Sequence, residues 1–136
     1  MTEKSVITVA TTFTLLVAGV APTLIDAELQ YSPDDPYAVA VQFHTRQGGV
    51  EWMFSRDLLA DGLLLPSGDG DIVVRPDPDD EERVLLELNA PSGFAVLSAA
   101  VDEVLEFLEL SFDMVMPGEE HLWIDFEREL AKLAKL

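Results

Sequence analysis

The stretch DPYAVAVQFHTRQGGVEWMFSRDLL, residues 35–59, decides the fold because it holds two strand-like runs around a pair of glycines. Gly48-Gly49 is a two-residue turn signal, since both central positions of a type I′ turn need positive φ, which glycine adopts without steric cost. This turn predicts an antiparallel hairpin in which Phe43 faces Phe54, whereas a four-residue loop would shift the register. The hairpin is the starting point for the rest of the chain.

The predicted register separates the hairpin side chains into two faces. The apolar face carries Val39, Val41, Phe43, Val50, Trp52 and Phe54, and the mostly polar face carries Gln42, His44, Arg46 and Glu51. Such a separation supports the pairing, because a one-residue slip would move every side chain to the other face. The polar face favours a solvated strand residue for His44 over a metal ligand or a general base, and His121 has the same interpretation.

Composition limits both the size of the fold and the kinds of partner. A chain of 136 residues, 49% of them hydrophobic, suits one domain, which we predict to span residues 1–136. With 26 acidic and 8 basic side chains, the formal charge of -18 repels polyanions, so no nucleic-acid partner and no anionic lipid surface is expected. The absence of cysteine removes disulfides, thiolate catalysis and sulfur-based zinc sites, and it is compatible with a reducing compartment.

The apolar run from Val6 to Val20 has two interpretations. It resembles the core of a signal peptide with Ala21 near the cleavage point, although it is too short to span a bilayer. Alternation favours a strand instead. One face of that strand would carry Ile7, Val9, Phe13, Leu15 and Val17, and the other Thr8, Thr12 and Thr14.

Two acidic segments invite a weak divalent-cation hypothesis. PSGDGD, residues 66–71, alternates aspartate with glycine, and PDPDDEE, residues 76–82, holds five acids in the six positions from Asp77 to Glu82. Neither has the spacing of an EF-hand loop, so we interpret the first as a turn. The second is interpreted as a solvated tip between strands at Ile72–Arg75 and Val84–Leu88. No metal site, cofactor or catalytic residue is predicted, because the chain contains no Ser/His/Asp constellation, phosphate-binding glycine loop or zinc-protease motif.

Helical periodicity begins after residue 100. The residues predicted for an apolar side are Val101, Val104, Leu105 and Leu108, and those for an acidic outer face are Asp102, Glu103, Glu106 and Glu109. After Pro117-Gly118, a second helix is predicted with Leu122, Phe126, Leu130 and Leu133 on one side. A short helix capped by Ser55 is expected earlier, running from Arg56 to Ala60 and stopped by Gly62. Strands followed by two helices, with turns too short for parallel crossovers, predict an α+β fold with antiparallel sheet.

Several blocks of the chain together resemble one known family. The blocks are DPYAVAVQFHT, VEWMFSRDLLADGL, PSGDGDIVV, LNAPSGFAVLSAA and MPGEEHLWIDFEREL. From about Tyr31 onward they are similar to the SsgA-like family of actinomycete sporulation and cell-division proteins, and particularly to its SsgB-type members.

The resemblance implies a fold and a role that the residues alone do not show. The implied fold is whirly-like, with two antiparallel sheets packed crosswise and covered by a C-terminal helical pair. The implied function is non-enzymatic: the protein would act in the cytoplasm at the division septum, where it helps localise or promote septum formation. Its partner would be the tubulin-like GTPase FtsZ, engaged directly or through a sister SsgA-like protein, and a homotrimer is also implied.

We predict that the partner-binding surface includes the acidic helix face formed by Asp102, Glu103, Glu106 and Glu109. These carboxylates repel one another on a helix whose apolar side already explains its packing, although a solvated face without a partner is the alternative. Single-stranded nucleic-acid binding, which rests on fold analogy alone, is the alternative function. A second alternative function is the weak binding of divalent cations.

Overall fold

The computed structural model describes residues 6–91, 93–124 and 133–134, the side chain of Asp69 excepted. Its strands are β1 (Ile7–Leu16), β2 (Thr23–Tyr31), β3 (Ala38–Thr45), β4 (Gly48–Ser55), β5 (Ser67–Asp69), β6 (Ile72–Asp77), β7 (Asp80–Ala90) and β8 (Gly93–Ala100). The α-helices are α1 (Arg56–Gly62) and α2 (Val101–Met114), and a 3-10 turn follows at Glu120–Trp123. The predicted α+β class is confirmed. Within the described residues, neither α-helix is long and apolar enough to cross a membrane.

All eight strands belong to one antiparallel sheet with the order β4-β3-β2-β1-β8-β7-β6-β5. The two halves of this sheet join where Thr14–Leu16 of β1 pairs with Val96–Ser98 of β8. The expected arrangement of two separate sheets packed crosswise is therefore not confirmed, because hydrogen bonds run continuously from β4 to β5 in the described part of the chain.

The sheet curls so that strands near its two edges meet at one core. Phe54 of β4 and Val74 of β6 line the same small internal cavity, although five strands separate them in the sheet. Phe13 of β1 packs edge-on against Phe43 of β3, with ring centroids 5.2 Å apart. The inner face of the sheet thus forms a half-barrel whose interior is filled by its own apolar side chains.

The two helices cover the open side of this half-barrel. Helix α1 begins at Ser55, whose hydroxyl accepts a hydrogen bond from the Leu58 amide, so the predicted cap is confirmed. Its Leu59 enters the core, and at Gly62 a Cβ would clash with the side chain of Val74 and lie 2.8 Å from the Val74 carbonyl oxygen. Glycine is needed there because the helix end approaches strand β6 too closely for any side chain.

The hairpin of β3 and β4 is confirmed, but its predicted register is wrong. Its turn lies at Arg46-Gln47, so Phe43 faces Val50 and Phe54 faces Val39. No non-glycine residue among those described has positive φ, whereas Gly48 has φ of 114° at the start of β4. The glycine relieves the strain after the turn rather than forming its centre. Phe43 pairs four residues away from its predicted partner. Because four is an even number, the strand residues of the hairpin stay on the faces predicted for them.

The other predicted strands are present in the structure, and they differ from the prediction mainly in where they begin and end. The N-terminal run forms strand β1, with Phe13 buried on the inner face as the alternation predicted. Strands β6 and β7 extend further into the acidic segment than expected, so the turn between them is confined to Pro78-Asp79. The predicted second C-terminal helix lies mostly outside the described residues, apart from the 3-10 turn and the helical pair Leu133 and Ala134.

We expect Phe43→Ala to lower the free energy of unfolding by about 3–5 kcal/mol, because it removes a buried ring from the core. His44→Ala, the matched control, should cost less than about 1 kcal/mol because the adjacent side chain lies on the exposed face. Urea unfolding of both variants followed by circular dichroism measures the difference. Equal losses would contradict the face assignment.

Candidate protein-interaction site

Helix α2 places its apolar side against the sheet and leaves a row of carboxylates outside. Its buried residues are Val104, Phe107, Leu108 and Ser111. Asp102, Glu106 and Glu109 are exposed, and no lysine or arginine occurs between Val101 and Met114. All charged side chains on the outer surface of α2 are therefore acidic, as the periodicity predicted.

Three residues of α2 depart from the predicted faces. Leu105 is 40% exposed, and the sequence analysis did not assign Phe107 to the apolar side, although it is fully buried. Glu103 is half-buried and accepts a hydrogen bond from the hydroxyl of Thr11 on β1. Because one residue turns an α-helix by about 100°, the two neighbours of Val104 fall on opposite flanks of the buried side. Within the described part of the chain, Glu103 is thus the one carboxylate of the four that has a hydrogen bond to another side chain.

A polar depression beside Glu103 contains His44. It is lined in part by Asp26, Glu28, His44 and Glu103, and His44 Nε2 lies 2.7 Å from Glu28 Oε1. Both partners of this pair are exposed to solvent, as predicted for His44. Among the described residues, no group of three or more His, Cys, Asp or Glu side chains is arranged to hold a metal ion, and this includes the acidic tip of β6 and β7.

The guanidinium of Arg56 is the most buried charge in the described structure, and it holds the end of α2. Arg56 is 0% exposed. Its Nη1 donates hydrogen bonds to the carbonyl oxygens of Ser111 at 3.0 Å and Val115 at 2.7 Å. These carbonyls belong to the C-terminal end of α2, where the helix dipole favours a cation. The sequence of α2 supplies no cation at this end, so the first residue of α1 provides it from outside.

Aromatic rings enclose the same guanidinium. Cζ of Arg56 lies 4.8 Å from the ring centroid of Tyr31 and 5.1 Å from that of Phe112. Within the described residues, Nε and Nη2 have no hydrogen-bond acceptor, and the faces of the two rings lie against the guanidinium. The Tyr31 hydroxyl donates to the carbonyl of Pro36 at 2.8 Å, and burial raises the pKa of this hydroxyl despite the nearby Arg56 charge.

Glu120 completes this buried group, which we call the Arg56 junction: Tyr31, Arg56, Ser111, Phe112, Val115 and Glu120. Glu120 Oε2 lies 3.5 Å from Arg56 Nη2, and Oε1 accepts a 2.6 Å hydrogen bond from the Gly118 amide. The pKa of Glu120 is lowered, first by its own backbone amide and further by Gly118 and Arg56, which together outweigh its burial. The junction fastens residues 115–120 to the start of α1.

Sequence reasoning did not find this junction. Arg56 was predicted only as the first residue of a connector helix, and Glu120 only as a neighbour of His121. A weak signal existed, because Arg56 shares its alternation with Phe54 and stands shortly before Leu59, and both of those side chains are buried. Its partner is 64 positions away along the chain, so no local pattern could identify it.

Comparison with known proteins places this arrangement within one family. The model described as "Streptomyces sporulation and cell division protein, SsgA" matches residues 25–120. The chain therefore belongs to the SsgA family of sporulation and cell-division proteins, as the sequence blocks indicated. The matched region contains most of β2, all of β3 to β8, both helices and every residue of the Arg56 junction.

Individual relatives carry the name "Sporulation-specific cell division protein SsgB". One from Saccharopolyspora erythraea is 46% identical over 122 residues, which cover 89% of this chain and 86% of the relative. One from Streptomyces coelicolor is 39% identical over 121 residues, covering 88% of each chain.

The solved structure of an SsgA-like sporulation-specific cell division protein from Thermobifida fusca has the same fold. It gives a TM-score of 0.86 at 36% identity and covers 97% of this chain and 98% of its own. A second solved structure, reported as "Mutations in SsgB correlate to longitudinal cell division during sporulation of Streptomyces coelicolor", gives a TM-score of 0.85 at 35% identity, covering 91% of this chain and 99% of its own.

Replacing Arg56 by glutamine is expected to lower the free energy of unfolding by about 3–5 kcal/mol, because Glu120 and the α2 carbonyls would remain buried without their cation. Arg46→Gln, in the exposed turn of the hairpin, changes the charge equally and should cost less than about 0.5 kcal/mol. Chemical unfolding at pH 7 compares the two. A loss under about 1 kcal/mol for Arg56→Gln would show that the junction is not needed for stability.

The Glu120 carboxylate should make stability depend on acid pH in a defined direction. Since its pKa is lower in the folded than in the unfolded protein, its contribution is fully present above about pH 4.3 and is lost as the pH falls through the folded value. Near neutral pH, the free energy of unfolding should therefore be higher for the wild type than for Glu120→Gln. This difference should become smaller as the pH is lowered toward 3. Glu119→Gln, an exposed neighbour, is the control. A gap that is constant from pH 7 to pH 3 would contradict the assignment.

Proposed function

We propose that this protein is a non-enzymatic regulator of sporulation-associated cell division that helps localise or promote FtsZ-dependent septum formation through protein contacts. Membership of the SsgA family, with relatives named as sporulation-specific cell division proteins, is the observation that carries this proposal. The partner is FtsZ itself or a sister SsgA-like protein, and the protein acts in the cytoplasm at the septum. A homotrimer and a whirly-like arrangement of the curled sheet are further parts of the same proposal.

The contact surface in this proposal is the acidic face of α2. Asp102, Glu106 and Glu109 are its exposed carboxylates, and Glu103 contributes from the flank where it also accepts the Thr11 hydrogen bond. The helix is a rigid platform, because its buried side packs in the core and its end is held by Arg56. Complementary charge on a partner would chiefly accelerate encounter and select the correct orientation.

Reversing two of the exposed charges tests this surface. Glu106→Lys combined with Glu109→Lys should slow association with purified FtsZ or the sister protein, and more so at low salt than at high salt. Glu103 is left unchanged, because its replacement would also remove the hydrogen bond to Thr11. Association rates are measured at two salt concentrations by surface-based kinetics.

The matched control is Glu81→Lys combined with Glu82→Lys, at the exposed tip of the β6–β7 hairpin. Both double variants change the net charge by the same amount, so only the position of the reversal differs. Circular dichroism should show that both variants fold, since exposed charge changes usually shift stability by less than about 0.5 kcal/mol. Equal slowing by both pairs would indicate a net-charge effect and would remove α2 from the interface.

A further inference from the structure

The outer face of the sheet carries an exposed apolar group where β2, β1 and β8 lie side by side. Leu16 and Val96 are register partners across β1 and β8, and Leu24 lies opposite Thr14 across β1 and β2. Phe94 precedes Val96 by two residues and so lies on the same face. Leu24 is 72% exposed and Phe94 63%. We call Leu16, Leu24, Phe94 and Val96 the outer apolar face.

This face is not required by the core. The opposite side of the same strands already carries the buried residues Phe13, Ala27 and Leu97, and alternation would allow polar residues outside. Thr12 and Thr14 follow that rule further along β1. Large apolar side chains gathered on the solvent side of three adjacent strands are typical of a surface that another molecule covers.

An arginine borders the outer apolar face. Arg83 Nε donates a 2.9 Å hydrogen bond to the Ser98 hydroxyl, and its Nη2 donates to the Ser98 carbonyl at 3.0 Å. Ser98 lies two residues beyond Val96 on the same face, so the guanidinium stands next to the apolar group. Neighbouring Arg75 is neutralised by Glu87 at 3.1 Å.

Arg83 is half-buried and has no carboxylate within ion-pair distance among the described residues. That is unusual in a chain with 26 acidic and 8 basic side chains. Nε and one hydrogen of Nη2 are used on Ser98, so within the described structure Nη1 and the second Nη2 hydrogen remain to bind an incoming carboxylate. The border of the outer apolar face on β2 is negatively charged, because Asp26 follows Leu24 by two residues and so lies on the same face.

We propose that the outer apolar face docks an amphipathic helix of a partner protein, with the apolar stripe of that helix on Leu16, Leu24, Phe94 and Val96 and a carboxylate on Arg83. The distance from β2 to β8 is two inter-strand spacings, about 10 Å, which matches the diameter of one helix. A helix with an apolar stripe packs naturally on an apolar sheet face. Helix α2 covers the inner side of the sheet, so this second surface is separate from its acidic face.

The experiment uses three fluorescein-labelled synthetic helices of equal length with purified full-length protein. The first has a leucine stripe flanked by glutamates, the second has the same stripe flanked by glutamines, and the third is a scrambled version of the first. Fluorescence anisotropy at about 150 mM salt, where the Debye length is about 8 Å, limits the influence of the overall negative charge. The first helix should bind, and the scrambled one should bind at least about tenfold more weakly because its anchors are dispersed.

Variants then separate the apolar and ionic contributions. Leu24→Ser combined with Phe94→Ser should weaken both striped helices about tenfold or more, while Leu64→Ser combined with Leu65→Ser, also exposed leucines, should leave them unchanged. Arg83→Gln should weaken only the glutamate-flanked helix, by about threefold to fivefold, and Arg83→Lys should restore part of this. Arg46→Gln is the control for the loss of one positive charge.

Three results would overturn the proposal. The first is equal binding of the scrambled and striped helices, and the second is an effect of Leu64→Ser with Leu65→Ser as large as that of the Leu24 and Phe94 pair. The third is a wild-type oligomer that Leu24→Ser with Phe94→Ser converts to a smaller species by light scattering, which would assign the face to a second copy of this chain. No FtsZ is present in these measurements, so their failure leaves the proposed role of α2 untouched.

Discussion

The buried guanidinium of Arg56 constrains the rest of the structure, because a charge without solvent must be surrounded by compensating groups. Those groups come from separate parts of the chain: the ring of Tyr31 at the end of β2, the carbonyls of Ser111 and Val115 at the end of α2, and the carboxylate of Glu120. If any of these segments moved away, the others would be left with an uncompensated polar group in the interior. The junction therefore fixes α1, α2 and the segment after α2 relative to one another.

The same constraint explains how the two helices stay in place over the core of the curled sheet. Helix α1 occupies the space between β4 and β6, where Gly62 permits a close approach to Val74. Helix α2 lies over the inner side of β1 and β8 with Phe107 and Leu108 in the core. Arg56 is the first residue of α1 and binds the last turn of α2. Its side chain therefore links the two helices that cover the core.

The same geometry divides the exterior into two chemically different surfaces. The exposed side of α2 carries only acidic charges, whereas the outer face of β2, β1 and β8 is apolar and bordered by Arg83. They are formed by different elements of the fold. Both surfaces belong to a member of the SsgA family of sporulation and cell-division proteins.

The sequence by itself determined the features that depend on neighbours along the chain. Alternation identified β1 and both faces of the β3–β4 hairpin, Ser55 identified the start of α1, and the 3.6-residue period identified the acidic side of α2. The family resemblance supplied the biological role. The hairpin register failed because a glycine pair indicates that a turn is near without fixing which residues form its centre, and Gly48 came after the turn.

Only the tertiary structure decided the features that depend on residues distant in sequence. The joining of all strands into one curled sheet rests on the short pairing between β1 and β8, whose residues are about eighty positions apart. The burial of Arg56 and Glu120 depends on the same long-range folding, as does the turning of Glu103 toward Thr11. Local sequence patterns indicate which side of a helix or strand is apolar. The partner of a buried charge depends instead on the tertiary fold, because it comes from a distant part of the chain.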